Sequence, residues 1–160
     1  MKSYHHGNLK EELIKCACLL CERDGYTKLS IRSLAKESNV SQTAPYRHFK
    51  TKESVYAAVA QEGFEKLGKV TYFDPSEKIA KKDLIESAEK YIDFGLRNAN
   101  TYDLMFGTAV GNFSSYPDLL EAANSSYANL TLNIERLTGD DGESLAAKCI
   151  TIWSILHGLV

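Results

Sequence analysis

The sequence predicts an all-α protein, and three observations support this class. Apolar side chains recur every three or four residues along most of the chain, and no segment alternates apolar and polar residues as a strand would. Only three prolines and ten glycines occur in 160 residues, and the gaps between them are long enough for helices. A composition of 44% apolar and 25% charged residues is typical of a globular protein and argues against disorder and fibrous repeats.

Four helices are predicted before residue 70, each with a recognisable start or stop. The first carries Leu9, Leu13 and Leu20 at helical spacing, and Gly25 follows its last turn, where glycine is common. Each of the other three begins after a residue whose side chain can accept a hydrogen bond from the first turn. The expected helices span residues 8–24, 31–38, 42–49 and 52–69, and the last three have Ser30, Ser41 and Thr51 as N-caps.

The second half of the chain predicts four more helices after a break at residues 72–76. Asp74 and Pro75 within that break also have the character of a helix start. Apolar residues at helical spacing then indicate helices through residues 84–96, 102–110, 117–137 and 143–160, with interruptions at 98–100 and 114–116 and a turn at 139–142.

The last predicted helix is apolar on nearly all sides in its second half, IWSILHGLV. A helix with this pattern is expected to be buried on several sides. Either a further helix follows it in the natural protein, or its end packs against a second chain. We therefore expect the C-terminal part to be truncated at its end.

Membrane and secreted proteins are disfavoured by two features of the sequence. No uninterrupted apolar run approaches the ~18 residues that a membrane span requires. The N-terminal segment MKSYHHGNLKEE also lacks the apolar centre of a secretory signal. The sequence predicts a cytoplasmic protein without membrane contact.

Metal sites and catalytic sites are also disfavoured. Cys16, Cys18 and Cys21 lie on a predicted helix, where residues two apart point to nearly opposite faces and cannot converge on a metal ion. With the isolated Cys149, they are interpreted as reduced structural thiols. Phosphate-binding loops, nucleophile elbows and zinc-protease motifs are absent, and no acidic residue precedes His157 by three or four positions. We expect no catalytic residues, no metal and no cofactor.

The net charge of −2 conceals an uneven distribution along the chain. Residues 1–56 contain ten basic and six acidic residues, whereas residues 57–160 contain nine basic and fifteen acidic residues. A basic N-terminal part on an acidic remainder suggests that the N-terminal part contacts a polyanion.

The segment 30–49 has the pattern of a helix-turn-helix. Its first helix has an apolar inner face, whereas the second, QTAPYRHF, has too few apolar residues to be explained by packing alone. In such a motif the second helix lies in the major groove of DNA. Gln42 and Thr43 would then face base edges, and Tyr46, Arg47, His48 and Lys52 would donate to phosphates. The alternative left open by spacing alone is a solvated surface helix in a bundle.

The stretch GYTKLSIRSLAKESNVSQTAPYRHFKTKESVYAAV closely resembles the N-terminal DNA-binding domain of the TetR family of bacterial transcriptional repressors. The matching features are the glycine after the first helix, the S-I-R-x-L-A helix, the N-V-S turn, the Y-R-H-F segment and the K-x-K-E start of the fourth helix. The opening YHHGNL and a late W-x-x-x-H-G, at Trp153, His157 and Gly158, resemble one branch of the family with a Trp-His-Gly signature.

The resemblance implies a three-helix DNA-binding domain at residues 1–56 and a helical effector-binding and dimerisation domain at residues 57–160. Phosphate contacts would fall on Ser30, Arg32, Tyr46, His48 and Lys52; base contacts would fall on Gln42, Thr43, Ala44 and Arg47; and Ser41 completes the expected DNA-binding set. Family members are homodimers on palindromic operators and pair through their last two long helices, of which only one is clear here.

The resemblance also implies a small apolar or aromatic effector. Aromatic and neighbouring residues at helical spacing in the second half could line its pocket: Tyr91, Phe94, Tyr102, Met105, Phe106, Phe113, Tyr127, Trp153 and His157. The expected function is a sequence-specific transcriptional regulator, a repressor released from its operator by this effector. The alternative is a helical ligand-binding or partner-binding bundle without DNA affinity.

Overall fold

The computed structural model describes residues 9–160, which form seven α-helices and no β-strand within that range. The predicted all-α class is confirmed. The expected start of the first helix at residue 8 and residues 4–8 of the YHHGNL segment lie outside the described residues. The helices are α1 (Leu9–Asp24), α2 (Ile31–Glu37), α3 (Lys52–Val70), α4 (Lys81–Arg97), α5 (Ala99–Phe106), α6 (Pro117–Thr138) and α7 (Gly142–Gly158).

The first two helices end and begin as their sequences predict. Gly25 follows α1 with a φ of 81°, a conformation that glycine adopts without steric cost. The Ser30 side chain accepts from the Ser33 backbone N–H at 3.0 Å, and the Ser33 hydroxyl oxygen accepts from the Ser30 backbone N–H. These two hydrogen bonds form a capping box at the start of α2. Asn39 closes α2 with a φ of 52°.

The third predicted helix is wrong in type and in length. Residues 44–47 form a short 3₁₀-helix, Ala44–Arg47, with Thr43 rather than Ser41 at its N-cap. Pro45 explains the difference, because proline lacks a backbone N–H and disfavours the α conformation in the residue before it. Its carbonyl accepts from both the His48 and Phe49 N–H groups, at 2.9 and 2.8 Å.

Helix α3 begins and ends close to its predicted limits. Thr51 accepts from the Ser54 N–H at 3.1 Å in a second capping box. The helix runs without a break through positions 56 and 57 and packs against α1, α5 and α6. The apolar core is therefore continuous from Leu13 in α1 to Leu156 in α7.

Three helix boundaries in the second half differ from the prediction: the start of α4 and both ends of α5. Asp74 and Pro75 lie in a loop, where the Asp74 carboxylate accepts from the Ser76 N–H at 2.8 Å, and α4 begins only at Lys81. Helix α5 starts at Ala99, three residues earlier than predicted, and ends at Phe106 because Gly107 follows it. Only Asn98 separates α4 from α5.

The N-terminus of α5 is capped by a residue from α1. The Glu22 carboxylate accepts from the Asn100 N–H at 3.3 Å, from the Thr101 N–H at 3.1 Å and from the Thr101 hydroxyl at 2.9 Å. The Asn100 side chain donates in return to the Glu22 carbonyl at 2.9 Å. A carboxylate at this position satisfies N–H groups that the helix itself leaves unpaired and is favoured by the helix dipole.

Helix α5 is also pressed against α3 at Gly63. A β-carbon at position 63 would lie 2.9 Å from Met105 Cγ and 3.0 Å from Thr101 Cγ2. Only a residue without a side chain allows this approach, so the position of α5 is fixed from two sides.

The last helix is less buried than its sequence suggests. Leu145, Cys149 and Leu156 are buried, whereas Ile150, Ile155 and Leu159 are 57%, 58% and 58% exposed. In the single chain the second half of α7 is thus only partly buried, and the expectation that a further helix or a second chain covers it stays a prediction. No helix among residues 9–160 is both long and apolar enough to cross a membrane.

Replacing Thr51 with alanine should lower the free energy of unfolding by about 1 kcal/mol, because the first turn of α3 loses its side-chain acceptor. Urea denaturation followed by circular dichroism measures the change. Thr108→Ala is the matched control, since Thr108 is exposed and lies outside any helix. Equal stability of T51A and T108A would contradict the role assigned to this cap.

Candidate nucleic-acid interface and ligand cavity

The segment 41–50 is held by two buried residues and presents the others to solvent. Pro45 is fully buried and Phe49 is 3% exposed, so the short 3₁₀-helix is anchored on one side. Tyr46, expected from the sequence to donate to a phosphate, is 47% exposed. Gln42, Thr43, Arg47 and His48 are also exposed, so their polar groups are accessible to a partner.

The ten predicted DNA-binding residues occupy the N-terminus of α2, the turn, the 3₁₀-helix and the N-terminus of α3. Eight of them are exposed, and Ser30 and Ala44 are half-buried. The exposed ones are Arg32, Ser41, Gln42, Thr43, Tyr46, Arg47, His48 and Lys52. The structure thus brings the predicted set into one helix-turn-helix segment, although its second helix is a single 3₁₀ turn.

The donors in this segment differ in how far they are already engaged. The Lys52 ammonium donates to the Thr27 carbonyl at 3.0 Å and lies 5.1 Å from the centre of the Tyr56 ring. The Ser30 hydroxyl is used in the α2 cap. The guanidinium groups of Arg32 and Arg47 make no hydrogen bond or ion pair with another described residue and remain available for phosphates.

A cavity of about 370 Å³ lies between α3, α4, α5, α6 and α7. Its size falls within the range of small-molecule sites. No Asp, Glu, Lys or Arg lines it. The wall is formed by Phe64, Leu67, Thr71, Leu84, Ser87, Ala88, Tyr91, Met105, Phe106, Gly107, Phe113, Ala123, Asn124, Ser126, Tyr127, Leu130, Ile152, Trp153 and Leu156.

Six of the nine predicted pocket residues lie on this wall: Tyr91, Met105, Phe106, Phe113, Tyr127 and Trp153. The other three do not. Phe94 is buried in the core, and Tyr102 and His157 line a separate shallow recess beside α5 and α7. Tyr102 and His157 nevertheless connect to the cavity, because the Tyr102 hydroxyl lies 2.8 Å from that of Tyr91.

The residues of α3 that line the cavity, and most of those of α6, were not predicted from the sequence. Phe64, Leu67 and Thr71 lie at intervals of three and four on α3, and Ala123, Tyr127 and Leu130 lie at similar intervals on α6. These spacings mark inward faces. They do not distinguish a face that lines a cavity from one that packs tightly, so the signal in the sequence was incomplete.

The four cysteines are free thiols. Burial raises the pKa of Cys18 to about 11 and that of Cys21 to about 12, so both remain protonated at neutral pH. A protonated thiol is a poor nucleophile. These two residues are therefore packing residues of α1.

Two family sequence models match the chain. The model described as bacterial regulatory proteins, tetR family, matches residues 13–59, and the model described as tetracyclin repressor-like, C-terminal domain, matches residues 84–160. Together they cover most of the sequence. No curated protein matches the chain by sequence.

Solved structures resemble the fold over nearly the whole chain. A Rhodococcus sp. RHA1 protein of unknown function is 26% identical, with a TM-score of 0.80 over 99% of this chain and 84% of that one. The TetR family transcriptional regulator PfmR from Thermus thermophilus is 19% identical, with a TM-score of 0.64 over 92% and 82%.

A third structure, the multidrug binding protein EbrR complexed with imidazole, has a TM-score of 0.59 at 19% identity over 92% of this chain and 81% of that one. EbrR and PfmR are each 19% identical to this chain, and at that identity the likeness concerns the fold alone.

Filling the cavity should abolish uptake of an apolar probe. Ala88→Leu adds side-chain volume to the wall, and we expect it to weaken naphthalene binding by about tenfold or more. Quenching of Trp153, the chain's single tryptophan and a wall residue, measures this binding. Ala146→Leu, at an exposed position of α7, is the control. An unchanged affinity in A88L would mean that the probe binds elsewhere.

Proposed function

The chain belongs to the TetR family of bacterial regulatory proteins, whose fold is that of DNA-binding transcriptional regulators, and we propose that it is a homodimeric repressor released from its operator by a small molecule. The observation that carries the proposal is the combination of an exposed donor-rich helix-turn-helix with an uncharged cavity in one continuous core. Such a protein acts in the cytoplasm by binding and needs no catalytic residue.

In the proposed complex the segment 41–47 reads the major groove. Gln42 and Thr43 precede the 3₁₀-helix and offer amide and hydroxyl groups to base edges, and the Ala44 methyl suits a thymine methyl. Arg32, Tyr46, His48 and Lys52 donate to phosphates on either side, with Ser30 and Ser41 near the same backbone, and Arg47 adds a base contact. Phosphate contacts fix the position of the motif on DNA, and base contacts select the sequence.

The proposed dimer covers the apolar side of α7. Ile150, Ile155 and Leu159 are each more than half exposed in the single chain, and exposed apolar surface is a common site of association. A second copy of the chain related by a two-fold axis would bury them and would place two reading segments on a two-fold symmetric site. A palindromic operator follows from this symmetry.

Release by an effector requires a connection between the cavity and the reading segment. Helix α5 provides one, because Met105 and Phe106 line the cavity while its N-terminus is bound by Glu22 of α1. Helix α3 provides a second, since it begins beside the reading segment and carries Phe64, Leu67 and Thr71 on the cavity wall. A ligand that fits one arrangement of these helices better than another shifts DNA affinity.

DNA recognition can be tested with two variants that remove different contacts. Gln42→Ala should cost about 1–3 kcal/mol at particular base pairs and relax the preference there. Tyr46→Phe should weaken binding to all sequences by a similar factor, since a phosphate has no base identity. Gel shifts on a duplex selected from a random pool, and on its single-base variants, measure both.

The same selected duplex provides the control for symmetry. An isolated half-site should bind much more weakly than the full palindrome. Equal affinities for the two would contradict the dimer, and an altered base preference in Y46F with none in Q42A would contradict the division of contacts. Absence of any sequence-dependent binding would favour the alternative of a helical bundle without DNA affinity.

Coupling can be tested at Glu22. Glu22→Gln removes one of the two acceptor oxygens at the N-terminus of α5 and places an amide donor against backbone N–H groups. Effector-induced loss of DNA affinity is usually of the order of 5–150-fold in such systems. In E22Q we expect that loss to shrink toward none, while the cavity still binds the effector. Fluorescence anisotropy of labelled operator, with and without the neutral aromatic compound that releases DNA best, measures it.

Glu37→Gln is the matched control for this test. Glu37 accepts from Arg23 at 3.0 Å within the N-terminal part and touches neither α5 nor the cavity. The E37Q protein should respond to the effector as the unmodified protein does. A full response in E22Q would show that the signal does not pass through this contact.

A further inference from the structure

The Trp-His-Gly segment of α7 is joined to the cavity by a chain of hydrogen bonds. Tyr91 of α4 lines the cavity, and its hydroxyl oxygen lies 2.8 Å from that of Tyr102 in α5. The Tyr102 hydroxyl lies 2.6 Å from Nδ1 of His157 in α7. Three helices thus contribute to one relay that runs from the cavity wall to an imidazole outside it.

Aromatic packing holds the relay in place. The His157 ring is stacked on Trp153, with centroids 5.1 Å apart and planes 19° apart, and meets the Phe106 ring edge-on at 4.9 Å. Tyr91 and Tyr102 pack edge to face at 6.1 Å. Burial raises the pKa of both phenols, so they remain neutral hydroxyls and each has one proton to donate.

The direction of the relay depends on which nitrogen of His157 carries the ring proton. A phenol is a better hydrogen-bond donor than a neutral imidazole, which places the ring proton on Nε2 and leaves Nδ1 to accept from the Tyr102 hydroxyl. Tyr102 then accepts from Tyr91, whose only proton is used in that contact. The Trp153 side chain, whose indole N–H can only donate, also interacts with the Tyr91 hydroxyl. Tyr91 therefore has no proton left for a ligand, and a hydrogen bond between them is accepted by the Tyr91 oxygen.

We propose that the cavity takes an uncharged aromatic molecule that carries a hydroxyl group, that this hydroxyl donates to the Tyr91 oxygen, and that His157 sets the preference through Tyr102. The inference rests on the proposed function only in treating the cavity as the effector site. Tyr91 is the specificity-determining residue. Tyr102 and His157 are positioning residues, since neither lies on the cavity wall.

The rest of the wall supports the same ligand class. No charged side chain lines the cavity, so a carboxylate or ammonium group would lose its hydration without an ionic partner. Two buried hydroxyls on the wall already donate within the protein, from Thr71 to the Leu67 carbonyl at 2.8 Å and from Ser87 to the Thr71 carbonyl at 3.4 Å. Phenyl and indole rings form much of the remaining surface, which suits an aromatic skeleton.

The test uses 2-naphthol and 2-methoxynaphthalene, which share a skeleton and differ in the hydroxyl proton. Isothermal titration calorimetry at about pH 8, where histidine is ordinarily neutral, measures both dissociation constants. We expect 2-naphthol to bind about tenfold more tightly, as is usual for one buried hydrogen bond gained or lost. Tyr91→Phe should bring the two affinities together, and Tyr116→Phe, which removes a tyrosine hydroxyl outside the cavity wall, should not.

Two variants at position 157 separate the relay from simple packing. His157→Phe keeps an aromatic ring but has no acceptor, and it should remove the preference although it never touches the probe. His157→Asn keeps an amide oxygen near the Nδ1 position, and it should retain the preference for 2-naphthol.

Equal affinities for the two probes in the unmodified protein at about pH 8 would overturn the proposal, as would an undiminished preference for 2-naphthol in H157F. Failure of a cooperatively folded protein to bind 2-naphthol at all would also overturn it. Operator binding by the same preparation separates these outcomes from the proposed function, because loss of the probe preference leaves DNA recognition intact.

Discussion

The N-terminus of α5 has N–H groups that its own sequence does not cap. Asn98 is the only residue between α4 and α5, and its side chain donates to the Phe94 carbonyl at 2.8 Å rather than accepting from the next helix. A half-buried helix end without acceptors is unfavourable. Glu22 of α1 supplies the missing acceptor, and the relative position of the N-terminal helices and the cavity depends on that contact.

Two further constraints follow from the position of α5. Because Gly63 allows α5 to lie directly against α3, the cavity wall and the helix that follows the reading segment share one packed interface. Because α5 also carries Tyr102, Met105 and Phe106, the same short helix reaches the cavity and the His157 relay. A movement at the cavity cannot be absorbed locally by a helix of two turns held at both faces.

The N-terminal motif combines a firm base with an accessible surface. Pro45 and Phe49 are buried, and two capping boxes fix the helices on either side, so the intervening polar side chains are presented from a rigid backbone. Rigid presentation matters for base recognition, because a hydrogen bond to a base edge requires accurate placement of its donor. The short 3₁₀-helix is thus a consequence of Pro45 and still leaves Gln42, Thr43 and Arg47 accessible.

The sequence determined by itself those features that depend on neighbours along the chain. The caps at Ser30 and Thr51, the glycine after α1, the limits of α3 and the all-α class follow from local hydrogen bonding and helical periodicity. The family followed from a run of matching residues between Gly25 and Val59. Most of the aromatic wall residues could also be named, because they lie at inward positions of predicted helices.

Tertiary structure alone decided what depends on residues far apart in sequence. The Glu22 cap joins positions 78 and 79 residues apart, and the Tyr102–His157 contact spans 55 residues, so no local pattern announces either one. The same holds for the cavity: inward faces of α3 and α6 were visible, but whether facing helices leave a space depends on how closely their backbones approach. Helix packing also decides which of two inward aromatic residues lines a cavity: Tyr91 and Tyr102 are equally buried, but only Tyr91 lies on the cavity wall.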